Sequence, residues 1–181
     1  EELLQSFAGC DTVKIKVGEN LGEDIGRVAR VRALLPKAKL RLDVNGGWKV
    51  DQALVSLYAI YEEVGPLEYV EQPCASLDEL RRLKEKLVVD IKITGDEVIR
   101  KAADPFAIDL QDAVDVLMLK AAPLGGITRA REIAAHHKLP VVVSSALDSA
   151  VGISYGLQLA ASLPSLDYAC GLATGQLLSA D

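Results

Sequence analysis

No apolar run in this sequence reaches the ~20 residues that a membrane-spanning helix needs, so no membrane partner is expected. Nor does a basic segment lead into an apolar core after Glu1-Glu2, and no signal peptide is expected. Excess positive charge is missing as well. Twenty Lys and Arg against 26 Asp and Glu leave a net charge of −6, which gives no electrostatic ground for a nucleic acid or an anionic membrane as partner. Cysteine is scarce: Cys10, Cys74 and Cys170 are odd in number, far apart and without metal-ligand spacing. They read as small buried hydrophobes in a reducing cytosol, and the expected location is cytoplasmic. The only histidines, His136 and His137, adjoin each other at a helix end and read as surface residues.

What is present describes an ordinary globular chain. Half of the 181 residues are hydrophobic and a quarter charged, enough for one sizeable core and a single domain over residues 1–181. Leu3, Leu4 and Phe7 have helical spacing, with Gly9 as a stop. Strand-like runs then alternate with helix-like ones. Strands are expected at 12–17, 38–44, 67–71, 90–94, 114–119, 139–144 and near 168–170. Helices are expected after Leu21, from about Asp51, after a capping box at Ser76, at Asp104-Pro105, over Ile127 to His137, and over Val151 to Leu163. Glu23 and Asp24 sit near the positive end of the first of these helices. Lys14, Arg41, Glu68, Ile91, Val116, Val141 and Tyr168 mark comparable points of the seven strands, 27, 27, 23, 25, 25 and 27 residues apart. So constant a beat predicts α/β class, a parallel sheet and a (β/α) TIM-type barrel. With about seven of eight strands counted, the barrel is expected to be incomplete and truncated at its N-terminus.

Active sites of such barrels form at the C-terminal strand ends. Alternation places Lys14 and Lys16 on one face of the first strand and Arg41, Asp43 and Asn45 on one face of the next. Glu71, Asp96 and Lys120 end the third, fourth and fifth strands, and Ser144-Ser145 the sixth. Three carboxylates at one barrel mouth repel unless a cation neutralises them, and hard oxygen donors without Cys or His suit Mg²⁺, with Mn²⁺ as an alternative. Each acid alone could equally cap a helix. Lysines flanking such a metal can have lowered pKa values and serve as bases beside a substrate carboxylate. Gly125-Gly126 before a helix could cradle a phosphate or form only a turn, and Trp48 reads as packing.

Lys14-x-Lys16, Asp43-Val44-Asn45, Glu71-Gln72-Pro73, Asp96-Glu97 and Lys120 together resemble the enolase superfamily, muconate-lactonizing-enzyme subgroup. A lysine or histidine base working with Mg²⁺ is an established pattern of that superfamily. Within the subgroup, Asp43 to Trp48, Lys120 to Gly126, Ser144 to Asp148 and Cys170 to Gly175 are similar to the o-succinylbenzoate synthases, particularly the actinobacterial kind. The resemblance implies dehydration of 2-succinyl-6-hydroxy-2,4-cyclohexadiene-1-carboxylate to o-succinylbenzoate in menaquinone biosynthesis. It implies Lys16 as base and then acid, Lys120 as electrostatic stabiliser, and Mg²⁺ on Asp43, Glu71 and Asp96. Lys14, Arg41, Asn45, Gly125, Gly126, Ser144 and Ser145 are candidate contacts to this small carboxylate substrate. Two alternatives stay open: another reaction of the subgroup, such as N-acylamino acid racemisation, or an inactive barrel fragment. The resemblance also implies a capping domain that this sequence does not contain, so the missing strand would come from further residues or another chain. Little activity is expected of the 181 residues alone.

Overall fold

A computed structural model describes residues 9–179, and the helix expected over residues 1–9 lies outside the described residues. The chain divides into two compact units that meet in sequence between Ile93 and Thr94. In the first unit three strands, β1 (Thr12–Lys16), β2 (Lys39–Asp43) and β3 (Tyr69–Glu71), pair in parallel and in chain order. They are connected and covered by helices α1 (Leu21–Leu34), α2 (Val50–Val64) and α3 (Leu77–Lys86). The boundary falls within β4 (Lys92–Gly95); from Thr94 on, this strand, β5 (Val116–Leu119) and β6 (Val141–Val143) pair in the same way in the second unit. Its helices are α4 (Glu97–Arg100), α5 (Ile127–His137) and α6 (Ala150–Ser162). The repeated parallel β/α unit is the α/β, incomplete-barrel class that the beat predicts.

The apolar pattern explains the layers. In β2, Leu40 and Leu42 are wholly buried toward the helices, while Arg41 and Asp43 take the opposite face. Ala53, Leu57 and Ile60 recur at helical spacing on α2 and are each wholly buried, as are Leu80 and Leu83 of α3. Trp48 is 2% exposed, as its packing role predicts. The capping box forms: Ser76 Oγ accepts from Glu79 N–H, and the Glu79 carboxylate accepts from Ser76 N–H.

Three expectations need correction. The seventh strand near 168–170 is reduced to one parallel bridge between Ser144 and Gly171, because Gly171 N–H and C=O bond to Val143 and Ser145 and the chain then turns into a 3₁₀ turn at Thr174. No helix starts at Asp104-Pro105. The Asp104 carboxylate accepts from Phe106 N–H and its carbonyl from Ala107 N–H, closing a turn instead. The helix of that β/α unit is the single turn α4, directly after Asp96. Finally, Cys10 is exposed and Cys170 half-buried, and only Cys74 is the buried hydrophobe expected. The histidines are as expected outside the core, His137 Nε2 lying 2.8 Å from the Pro105 carbonyl oxygen.

Three outcomes are expected. Ser76→Ala should cost about 1 kcal/mol in urea denaturation, the usual worth of an N-cap side chain. Burial, reinforced by Glu79, pushes the Cys74 thiol up to about 11. Unfolded Cys74 would lose its proton near pH ~8.5, so the native state holds more protons above that value. Stability should therefore fall between there and pH 11, a slope that Cys74→Ala removes. Iodoacetamide at pH 8 should alkylate Cys10 first, with Cys74 labelled only on unfolding.

Candidate active site

Strand register assembles the first unit's polar cluster. Lys14 pairs with Arg41 and Arg41 with Tyr69. Two residues further along, on the same face, Lys16 pairs with Asp43 and Asp43 with Glu71. Glu71 is wholly buried and Asp43 is 9% exposed. Lys14 Nζ lies 2.5 Å from Glu71 Oε2 and 3.3 Å from Asp43 Oδ2, and Lys16 Nζ reaches the same Asp43 oxygen at 3.4 Å. Asp43 Oδ1 accepts from Asn45 N–H at 3.3 Å. Burial works to lower the Lys14 pKa, but the charges of Glu71 and then Asp43 outweigh it, and the ammonium is held above its ordinary range.

Below this pair, Arg41 is only 3% exposed. Its Nε donates to Glu68 Oε2 at 2.5 Å, and its guanidinium stacks 4.7 Å from the Tyr69 ring centroid. Lys39 Nζ holds the other Glu68 oxygen at 3.0 Å. Burial first, and then Glu71, keep the Tyr69 phenol protonated well above its ordinary range, although Arg41 and Lys14 oppose them. Asn45, in the left-handed region at φ 51°, is exposed.

In the second unit Asp96 is wholly buried. It stands at the N-cap position of α4 yet makes no capping bond. Its carboxylate instead accepts from Arg100 Nε at 3.0 Å and Lys120 Nζ at 2.7 Å, and Arg100 Nη2 continues to Glu97 at 2.8 Å. The N–H groups of Gly125 and Gly126 donate to Ala122 and Ala121 carbonyls at 3.1 and 2.8 Å, forming a turn with φ 88° and 114°. Ser144 and Ser145 are buried, each hydroxyl 3.1 Å from the Gly171 carbonyl oxygen, and Ser145 Oγ also meets Thr174 Oγ1 at 2.7 Å.

The expected residues thus gather in two clusters: Lys14, Lys16, Asp43 and Glu71 with Asn45 and buried Arg41, and Asp96 with Lys120. Each carboxylate is met by ammonium or guanidinium groups. Among the described residues no three His, Cys, Asp or Glu side chains form a ready metal-holding group. Glu68 and Arg100 were not singled out from sequence. The i,i+4 spacing of Asp96 and Arg100 signals that pair once a helix is placed directly after Asp96 rather than at Asp104.

The sequence matches the enolase C-terminal domain-like family over residues 1–180. The chain belongs to that family. It is 52% identical over 183 residues to the o-succinylbenzoate synthase of Mycobacterium tuberculosis, covering 99% of this chain and 55% of that protein. The chain spans about half the length of the curated relatives it matches. Among solved structures, the substrate-liganded L-Ala-D/L-Glu epimerase from Bacillus subtilis superposes with TM-score 0.84 at 27% identity, over 99% of this chain and 51% of that one. A dipeptide epimerase from Enterococcus faecalis, complexed with Mg and L-Leu-L-Tyr, gives 0.80 at 28%, over 93% and 48%.

Lys14→Met would leave Glu71 buried beside Asp43 with the nearest ammonium removed. A loss of about 2–3 kcal/mol is expected in urea denaturation, below the ~3–5 kcal/mol of a fully buried pair because Lys14 is partly solvated. The folded pKa of Lys14 lies above the unfolded one. Its contribution should therefore be complete below pH ~10.4 and be lost only as pH rises beyond it.

Proposed function

We propose that this chain is the catalytic barrel domain of a Mg²⁺-dependent carbon–oxygen lyase. It would dehydrate 2-succinyl-6-hydroxy-2,4-cyclohexadiene-1-carboxylate to o-succinylbenzoate, a step of menaquinone biosynthesis, in the cytoplasm. The observation that carries this reading is 52% identity, over 99% of the chain, to a protein named for that product.

Asp43, Glu71 and Asp96 are the residues that would hold the metal. The fit is supported by their chemistry: each is a carboxylate on a buried residue, each ends or follows a strand, and each already has a cationic group against it. The Lys14 ammonium between Asp43 and Glu71 stands in for a bound cation. When bound, Mg²⁺ supplies fixed positive charge for the negative charge that develops on the substrate carboxylate.

The chain's own residues account for the proton transfers. Lys16 has the most accessible ammonium of the first cluster, its side chain 64% exposed. As base it takes the proton α to the ring carboxylate, and as acid it returns that proton to the departing hydroxyl, so that one water leaves and no net proton is gained or lost. To do so it must give up its contact with Asp43. Lys120, 12% exposed on its side chain, keeps its charge and stabilises the anion electrostatically. Exposed Asn45 and the Gly125-Gly126 turn are proposed as direct substrate contacts. Lys14, Arg41, Ser144 and Ser145, whose polar groups face their neighbours, would shape the walls.

In the full-length protein, replacing Lys16 with Ala should abolish product formation, and Lys120→Ala should lower kcat by at least ~10²-fold through lost charge stabilisation. A Lys16→Ala protein that still exchanges the substrate α-proton with deuterated solvent at the wild-type rate would contradict the assignment. Metal binding is read without turnover: Mg²⁺ at about 100 times its Kd should add ~2.7 kcal/mol, roughly 5–10 °C in Tm, and Asp43→Asn should remove that shift. Racemisation of an N-acylamino acid, in which both lysines exchange protons, is the outcome that would replace the dehydratase reading.

A further inference from the structure

Lys16 ends β1 with a flexible four-carbon side chain mostly in solvent, so where its ammonium can go depends on where its backbone is held. Among the described residues β1 is paired on one side, by β2, and that ladder ends with Val17 N–H donating to the Asp43 carbonyl at 3.0 Å. Beyond it, the start of α1 secures the turn at Gly18. Arg27 Nη1 donates to the Lys16 carbonyl oxygen at 2.6 Å and to Asp24 Oδ1 at 2.9 Å. The other Asp24 oxygen accepts from Gly18 N–H at 2.8 Å. Gly18 sits at φ 128°, a conformation that L side chains rarely adopt, so the turn depends on this residue.

Asp24 is 1% exposed, and burying a carboxylate is costly unless its hydrogen bonds reward it. Helix capping does not explain that cost. Asn20 already caps α1 by accepting from Glu23 N–H, and Glu23 already supplies an acid near the helix's positive end. One Asp24 oxygen takes the Gly18 amide, and the other takes Arg27, whose Nη1 in turn holds the Lys16 carbonyl. We propose that Asp24 and Arg27 are positioning residues for Lys16: they fix the Lys16 carbonyl and the Gly18 amide, and thereby the point from which the base reaches the substrate. This rests on the role proposed above for Lys16.

The test compares Arg27→Met, Arg27→Lys and Asp24→Asn with the wild-type protein, with Arg30→Met on the exposed side of the same helix as control. Dehydration kinetics with the cyclohexadiene substrate and backbone amide exchange are measured on each. Arg27→Met should lower kcat by ~10–100-fold while KM changes by less than about threefold, as expected for misplacement by ~1 Å. Arg27→Lys, whose ammonium can still donate to both oxygens, should recover most of kcat. The Gly18 amide should exchange faster in Arg27→Met and Asp24→Asn while the α2 amides keep their protection, and Arg30→Met should match wild type throughout. Wild-type kcat in Arg27→Met, or a Gly18 amide that exchanges as in wild type in both variants, overturns the proposal. Should Arg27→Met fail to fold, wild-type kcat in Asp24→Asn overturns it equally. All variants are made in the full-length protein; if the wild-type full-length protein forms no product, the dehydratase reading falls, and Gly18 exchange alone decides whether the clamp exists.

Discussion

Glu71 is entirely removed from solvent at the end of β3, and its charge is tolerable there because the Lys14 ammonium lies 2.5 Å away. Desolvating a lone carboxylate costs several kcal/mol. The register of three parallel strands is therefore coupled to charge: slipping β1 by one residue would turn Lys14 and Lys16 to the helix-covered side and bring Val13, Ile15 and Val17 against two acids. Apolar packing and ion pairing select the same register. Arg41 and Glu68 repeat the pattern one step lower, with the guanidinium sealed against Tyr69.

The second unit meets the same constraint with different parts. Asp96 is balanced by an arginine one helical turn onward and by Lys120 at the end of the next strand. In both units ion pairs and hydrogen bonds hold the charged groups in place. Their exposure sorts them. Lys16 and Asn45 are exposed, whereas Arg41, Ser144 and Ser145 are buried, with Arg41 Nε bonded to Glu68 and both serine hydroxyls to the Gly171 carbonyl.

Much of this was legible in the sequence because strand alternation and the β/α beat are local and periodic. Six of seven strands lie where the beat puts them, and the Lys14 and Lys16 face follows from a period of two. The seventh failed because Tyr168-Ala169-Cys170 has the composition of a strand, while ladder pairing depends on a segment distant in sequence; the parallel bridge falls at Gly171 instead. The Asp104-Pro105 signal failed because cap chemistry and turn chemistry use the same residues, and here the turn prevails. Arg41 and the two serines were readable as polar residues on a functional face. That their groups are engaged by Glu68, Tyr69 and the Gly171 carbonyl depends on contacts between strands, which no periodicity reports. Asp24 was legible only as an acid near a helix start; its burial against Gly18 and Arg27 was not.

Asp43 and Glu71 face each other as ladder partners on adjacent parallel strands. Their spacing is consequently a property of the backbone, about 4.8 Å between strands, rather than of the side chains around them. A protein built this way can exchange the residues lining its mouth, and with them its choice of substrate, without respacing the two acids. Divergence of chemistry on a constant frame then needs no coordinated change in the sheet, only substitutions at positions that the ladder does not use.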